Sequence, residues 1–206
     1  MSNPERRTGL LVFLHGHGSE PIALPDRYRG GMCPGWTCVA PAGPRPADPG
    51  RSWFDATARG VDAVQLHASV DLILALVDEL TDALAIPAER VVLGGFSQGG
   101  ATALATAATG RRFGALLLES AFVPEALDLD IDLSRVNVEH ALVQHGTTDD
   151  VVPIEVAHWA ADALASTGCE VETAWHDAGH ERHPGIEATT RAWIERLSAT
   201  WSGPTA

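Results

Sequence analysis

Residues 89–100 read ERVVLGGFSQGG, in which an apolar run leads into four glycines that surround one serine. Gly95 to Gly99 fit the pattern G-x-S-x-G, which occurs by chance on the order of 0.1 times in a chain of this composition and length. The β-branched residues before it and the alanine-rich stretch after it predict a strand, a sharp turn and a helix. Such a turn strains the serine backbone and lifts its hydroxyl above the sheet. Ser97 is therefore the candidate nucleophile, with a plain glycine-rich turn or an anion site as the alternative.

Apolar runs and amphipathic stretches alternate along the whole chain. Strands are predicted at 9–14, 36–40, 89–95, 114–120, 138–146 and 169–176, and helices at 62–85, 97–108, 153–168 and 184–201. The Pro- and Gly-rich stretches 15–35 and 41–60 are predicted as long loops. This alternation predicts an α/β fold with a mostly parallel sheet, in one domain over residues 1–206.

Composition excludes several classes of function. The chain has 206 residues and a net charge of −13, so phosphate backbones repel it and nucleic acid is not an expected partner. All 14 basic residues are arginines. Without lysine the chain has no Walker A loop, no Schiff-base lysine and no Ser-x-x-Lys dyad.

The cysteines and the apolar runs indicate a cellular compartment. The chain has three cysteines, Cys33, Cys38 and Cys169. Their odd number and the absence of C-x-x-C spacing predict reduced thiols. The apolar run 9–14 is too short for a signal-peptide core. Because no stretch approaches the ~18 apolar residues of a membrane span, we expect a cytoplasmic protein without stable membrane insertion.

A serine nucleophile needs a base, which in this kind of strand-turn-helix site is a histidine late in the chain. His180 follows the strand 169–176 on a loop, where it meets that requirement. His176 and His183 are its rivals, although they fall at the strand end and at the start of the last helix.

The base needs an acid that holds its tautomer and stabilises the imidazolium. Asp149 follows the strand 138–146 on a loop of the same kind and is the preferred candidate, with Asp150 as its rival. The order serine, acid, histidine is the one expected for this site.

The segment LHGHGSE, residues 14–20, follows the first strand and resembles the HG-type loops of α/β hydrolases. Such a loop supplies an oxyanion donor, here the backbone N–H of His17. The other donor is the N–H of Gln98, the residue after the nucleophile. His15 with His17, or the three late histidines together, are weak candidates for metal ligands because H-E-x-x-H spacing is absent, and no metal is predicted.

These pieces together resemble the phospholipase/carboxylesterase family, the acyl-protein-thioesterase-like branch of the α/β hydrolases. The matching segments cover residues of about 9–195 in family order. They read FLHGHG, VAPAGP, RSWFD, ERVVLGGFSQGG, HGTTDDVVP and AGHE.

The resemblance implies an α/β-hydrolase fold without a large cap domain. It implies a serine hydrolase that acts on carboxylic esters, thioesters or lysophospholipids through an acyl-enzyme. Ser97, Asp149 and His180 would form the triad, and Trp53 and Val152 would lie beside the substrate cleft. Trp53 is equally well explained as a core aromatic. The implied partner is a small-molecule ester and no cofactor is implied, while a homodimer is common among such enzymes.

Two features depart from the family. His17 stands where relatives commonly have an apolar residue. The segment 121–137 is acidic, which favours short acyl chains over a long membrane-derived chain. A dienelactone-hydrolase-like lactonase is disfavoured because that class carries cysteine at the turn. A catalytically silent binding protein is disfavoured by the complete set of triad residues.

Overall fold

Parallel strands form the centre of the computed structural model, which describes residues 7–21, 35–58, 60–181 and 183–202. In chain order the strands are β1 (Gly9–Leu14), β2 (Trp36–Val39), β3 (Arg45–Pro46), β4 (Arg51–Ser52), β5 (Ala56–Thr57), β6 (Gly60–Val61), β7 (Val91–Phe96), β8 (Arg112–Glu119), β9 (Asn137–Gly146) and β10 (Glu170–His176). The helices are α1 (Ala63–Leu84), α2 (Gln98–Ala107), α3 (Ile154–Ser166) and α4 (Pro184–Ser202).

The main sheet has six strands in the order β10-β9-β8-β7-β1-β2, and every pair in it is parallel. The carboxyl ends of all six strands therefore meet at one edge of the sheet. In parallel sheets the loops at that edge build the binding site.

Helices cover both faces of the sheet, and this explains why β1 is apolar at every position. Leu10, Val12 and Leu14 pack into the cluster that includes residues of α1, α2 and α3. Leu11 and Phe13 point to the other face, where Trp193 and Ile194 of α4 are buried. A strand buried on both faces needs apolar residues at every position.

Helix α1 begins where its sequence provides a capping residue. Asp62 caps the first turn, because its carboxylate accepts the N–H of Gln65 at 3.0 Å. Ala85 ends the helix in the left-handed conformation, with φ of 52°. Ile73 and Val77 lie on the face that packs against the sheet.

The predicted order of strands and helices is confirmed, with boundaries that differ by at most two residues. The prediction of one long loop over 41–60 was wrong, because β3 pairs with β4 and β5 pairs with β6 as short antiparallel ladders. Within the described residues no helical cap is inserted, since 120–136 contain only the 3-10 turn Leu133–Arg135. Residues 22–34 of the other predicted loop lie outside the described residues.

Cys169 is a buried free thiol, Cys38 lies half-buried in β2, and Cys33 lies outside the described residues. Burial raises the pKa of Cys169 to about 11, and the neighbouring Glu170 acts in the same direction. Its thiolate is therefore scarce near neutral pH, and Cys169 is a core residue rather than a reactive one.

Replacing Trp193 by alanine should lower the free energy of unfolding by about 3–5 kcal/mol, because a fully buried indole leaves a cavity behind. Urea denaturation measures the change. Trp159→Ala is the matched control: Trp159 is 52% exposed, so its loss should cost within about 0.5 kcal/mol. Equal losses in the two variants would contradict the assignment of α4 to the core.

Candidate active site

Ser97 occupies a sharp turn between β7 and α2. Its backbone is at φ 52° and ψ −121°, a conformation that L-residues rarely adopt. The turn is held because Ser97 N–H donates to the carbonyl of Glu119 at 2.9 Å, and Ser97 carbonyl accepts from Ala101 at 3.0 Å. The Ser97 side chain makes no capping bond to α2, so its hydroxyl is available for another partner.

Two glycines allow this turn to pack against its surroundings. A Cβ on Gly99 would overlap the carbonyl oxygen of Leu14, and one on Gly95 would overlap the backbone of Gly99. The start of α2 therefore lies directly against the end of β1. Only glycine therefore fits at both positions without displacing backbone.

Ser97, His180 and Asp149 converge at the carboxyl edge of the sheet. His180 Nε2 lies 2.9 Å from Ser97 Oγ, and His180 Nδ1 lies 2.7 Å from Asp149 Oδ2. A carboxylate only accepts, so Nδ1 carries the hydrogen and Nε2 is left to accept the serine O–H. The ring of Phe96 packs on the His180 ring at 5.0 Å between centroids, which limits its rotation.

The carboxylate of Asp149 is buried and well supplied with donors. Its Oδ1 accepts the backbone N–H groups of Val151 at 2.9 Å and Val152 at 2.8 Å. Burial acts to raise the pKa of Asp149, but the N–H of Val152, the ring of His180 and the N–H of Val151 together outweigh it. The pKa of Asp149 is therefore held below its ordinary value, and the group stays ionised.

His145 is a functional candidate that the sequence interpretation missed. Its ring is fully buried, with Nε2 2.8 Å from the carbonyl oxygen of Val152 and 3.3 Å from Asp149 Oδ2. The sequence signal that could have identified it is its position at the end of β9, four residues before Asp149.

The predicted oxyanion donors lie on two neighbouring segments. Gln98 is the first residue of α2, so its N–H has no acceptor within the helix. Within the described residues, neither this N–H nor that of His17 donates to a backbone acceptor outside the helices and strands. The N-terminus of α2 adds a positive dipole end at the same place.

His15 is fully buried and holds the loop that carries His17. Its Nδ1 donates to the carbonyl of Gly16 at 2.8 Å, and its Nε2 accepts the N–H of Gly43 at 2.9 Å. Because both ring nitrogens are engaged, His15 has no lone pair left for a metal ion.

Trp53 is a core aromatic, with only 1% of its surface exposed. Its indole N–H donates to the carbonyl of His15 at 2.8 Å, and its backbone N–H donates to Gln98 Oε1 at 2.9 Å. Gln98 Nε2 in turn donates to the carbonyl of Phe54 at 2.6 Å. This core tryptophan joins the two segments that carry the predicted oxyanion donors, and its place beside the substrate cleft stays a prediction.

Val152 is also buried, with 6% of its surface exposed. Its backbone N–H and carbonyl bond to Asp149 and His145, and its contact with a substrate stays a prediction.

The rival residues point elsewhere. His176 Nε2 lies 3.2 Å from Gln144 Oε1, and His183 Nδ1 accepts the N–H of Gly185 at 3.1 Å. Burial lowers the pKa of His176, and His183 adds to that effect. The carboxylate that reaches His180 belongs to Asp149, not to the exposed Asp150. Among the described residues, no group of three metal-ligating side chains converges.

A hollow of about 370 Å³ lies between the segment after β8 and the first turns of α3. Its lining consists of Phe122, Val123, Glu125, Glu155, Val156 and Trp159. Phe122 packs edge-on against Phe54 at 6.3 Å, and Phe54 bonds to Gln98, so the hollow adjoins the neighbours of Ser97. The first residues of the segment 121–137 are apolar, and its carboxylates begin at Glu125.

A larger hollow of about 530 Å³ lies beside the β5–β6 pair. Its lining comprises residues 57–58, 61–64 and 127–128 and includes no member of the three converging side chains. The smaller hollow also lacks these three side chains in its lining, but its Phe122 packs against Phe54, whose carbonyl bonds to Gln98 next to Ser97. We regard it as the better candidate for substrate binding because of that link.

The sequence profile of the phospholipase/carboxylesterase family matches residues 1–188. The chain belongs to this family. The resemblance predicted from the sequence is thereby confirmed. None of the helices in the described part of the chain is long and apolar enough to cross a membrane.

Relatives of this phospholipase/carboxylesterase member include acyl-protein thioesterase 1 of Debaryomyces hansenii, 31% identical over 56% of this chain and 53% of the relative. Acyl-protein thioesterase 1 of Yarrowia lipolytica is 36% identical over 55% of this chain and 47% of the relative. The chain spans about half the length of these curated relatives. The fold is similar to that of a Bacillus cereus carboxylesterase, with a TM-score of 0.78 at 16% identity over 96% of this chain and 92% of that one.

Trp53→Phe should lower kcat for ester hydrolysis about ten- to hundred-fold, because the loop carrying His17 loses the bond that sets its distance from Gln98. Steady-state kinetics on a 4-nitrophenyl ester measures this change. The control is Trp36→Phe, which also loses an indole hydrogen bond, to Ser198 at 2.7 Å, but far from the site. Each change should cost about 1 kcal/mol of stability. Equal kcat in the two variants would show that the Trp53 bond does not position the loop.

Proposed function

We propose that this chain is a serine carboxylesterase, formed as one α/β-hydrolase domain over residues 1–206. One observation carries the proposal: His180 joins Ser97 at 2.9 Å and Asp149 at 2.7 Å, in the order that nucleophilic catalysis requires. The bonds acted on would be carboxylic esters, with thioesters and lysophospholipids in the same chemical range.

In the acylation step, Ser97 Oγ attacks the ester carbonyl carbon while His180 Nε2 takes the hydroxyl proton. The ionised Asp149 stabilises the imidazolium that forms, because its Oδ2 accepts the Nδ1 hydrogen. The tetrahedral intermediate then loses the alcohol, which receives the proton from His180 Nε2. The acyl group stays on Ser97 as an ester.

In the deacylation step, a water molecule gives its proton to His180 Nε2 and attacks the acyl carbon. The carbon–Oγ bond breaks, Ser97 regains its proton from His180, and the carboxylic acid leaves. In both steps the N–H groups of Gln98 and His17 would stabilise the oxyanion, an interaction worth about 10²–10³ in rate per donor. This chemistry needs no cofactor.

The hollow beside α3 supports a preference for short acyl chains. Phe122, Val123 and Val156 offer apolar surface in this hollow, whereas Glu125 and Glu155 lie exposed in the same lining. Each methylene gains about 0.8 kcal/mol only while it is buried. Once a chain fills the apolar part, further methylenes would meet carboxylates and water.

The cytoplasmic location and the homodimer stay predictions from the sequence. The free thiol of Cys169 is compatible with a reducing compartment.

Ser97→Ala should abolish labelling by a fluorophosphonate probe, because the probe loses fluoride only when a serine oxygen attacks its phosphorus. Gel fluorescence and ester hydrolysis measure the result. Ser198→Ala serves as the matched control, since Ser198 lies on α4 and bonds to Ile194. Labelling that persists in Ser97→Ala would overturn the mechanism, and loss of activity with a chelator would indicate a metal-dependent reaction instead.

Across 4-nitrophenyl esters from butanoyl to hexadecanoyl, kcat/KM should be highest at the short end and should not rise with length. Replacing Glu125 and Glu155 together by leucine should move the optimum to longer chains, because the hollow then gains apolar lining. Glu79→Leu, on an exposed face of α1, should leave the profile as it was. A steady rise from butanoyl to hexadecanoyl in the native protein would contradict the short-chain preference.

A further inference from the structure

The end of β9 carries a buried histidine for which the proposed chemistry has no use. His145 lies one residue before the end of β9, and none of its surface is exposed. Burying an imidazole costs free energy unless its polar atoms are paired. Its position beside the acid of the proposed triad therefore calls for a physical account.

The carbonyl of Val152 fixes which ring nitrogen of His145 carries the hydrogen. A carbonyl oxygen only accepts, so Nε2, 2.8 Å away, must be the N–H that donates to it. In the part of the chain that the structure describes, Nδ1 has no hydrogen-bond partner. A hydrogen on Nδ1 would be a buried donor without an acceptor, and this assigns the ring hydrogen to Nε2.

This single N–H lies between two groups of the loop that holds the acid. Besides the Val152 carbonyl, it faces Asp149 Oδ2 at 3.3 Å, the same oxygen that accepts from His180 at 2.7 Å. Val152 also donates its own N–H to Asp149 Oδ1 at 2.8 Å. The histidine, the valine peptide and the carboxylate thus form a closed ring of contacts at the end of β9.

We infer that His145 is a positioning residue: its Nε2–H holds the Val152 carbonyl and faces Asp149 Oδ2, so that the carboxylate stays directed at His180. This rests on the proposed function, because the direction of Asp149 affects a rate only if His180 acts as the base. Substrate binding does not depend on it, so loss of the N–H acts on kcat and leaves KM nearly unchanged.

Three substitutions at position 145 separate positioning from packing. His145→Gln keeps an amide N–H at about the reach of Nε2, His145→Asn places its N–H near the position of Nδ1, and His145→Phe keeps a ring without a donor. If His145 only fills space, phenylalanine is the best replacement. If its Nε2–H positions the loop, glutamine is.

With kcat normalised to the sites that react with a fluorophosphonate probe, phenylalanine and asparagine should lower kcat about ten- to hundred-fold. KM should change by less than about twofold, and glutamine should recover most of the loss. His140→Phe and His140→Gln are matched controls, because His140 lies near the start of β9, where it pairs with Glu170 at 3.2 Å. A phenylalanine variant with native kcat, or a glutamine variant as slow as phenylalanine, would overturn the inference.

A measurement on the native protein decides the question even if the variants fail to fold. Nitrogen-15 NMR of labelled histidine should show His145 with hydrogen on Nε2 and a bare Nδ1. Hydrogen on Nδ1 would overturn the inference. This result is separable from the proposed function, which fails instead if the native protein neither hydrolyses esters nor labels at Ser97.

Discussion

The carbonyl groups of Leu14 and His15 leave no room for a side chain at Gly99, and the geometry of the whole site depends on that close approach. It sets the start of α2 beside the loop that follows β1, where both predicted oxyanion donors lie. Because protein interiors are close-packed, neither segment can move without the other. The bonds of Trp53 to His15 and to Gln98 then fix the two segments in the remaining directions.

Asp149 is the ionised carboxylate of the site. Its carboxylate is fully buried, yet its pKa is lowered because the N–H groups around it outweigh the effect of burial. A group whose native pKa is lowered stabilises the fold above its unfolded pKa of about 3.9, and that contribution is lost as pH falls through the native pKa. The carboxylate that orients His180 therefore also helps to stabilise the native loop at neutral pH.

The sequence was sufficient for the residues whose chemistry and order are distinctive. Ser97 could be predicted as the candidate nucleophile from its glycines and the strand before it. Asp149 and His180 could be predicted as the candidate acid and base from their places after later strands. The hydrogen bonds of Trp53 could not be predicted, because its partners Gln98 and His15 are distant in the chain. His145 was missed for a related reason: only the folded loop brings the Val152 carbonyl to its ring. The short β-ladders within 45–61 escaped notice because two-residue strands leave no periodicity to detect.

The strand order has a consequence for how the protein folds. His180 and Ser97 are 83 residues apart in the chain, and His180 and Asp149 are 31 apart. Their contacts form only after β10 has joined β9 and the last third of the chain has docked on the sheet. Such distant pairings close slowly, because the entropy of long loops must be lost before the contacts form. A partly folded chain would bury much of its core and still lack the assembled site, so recovery of reactivity after refolding would report completion of the sheet rather than its beginning.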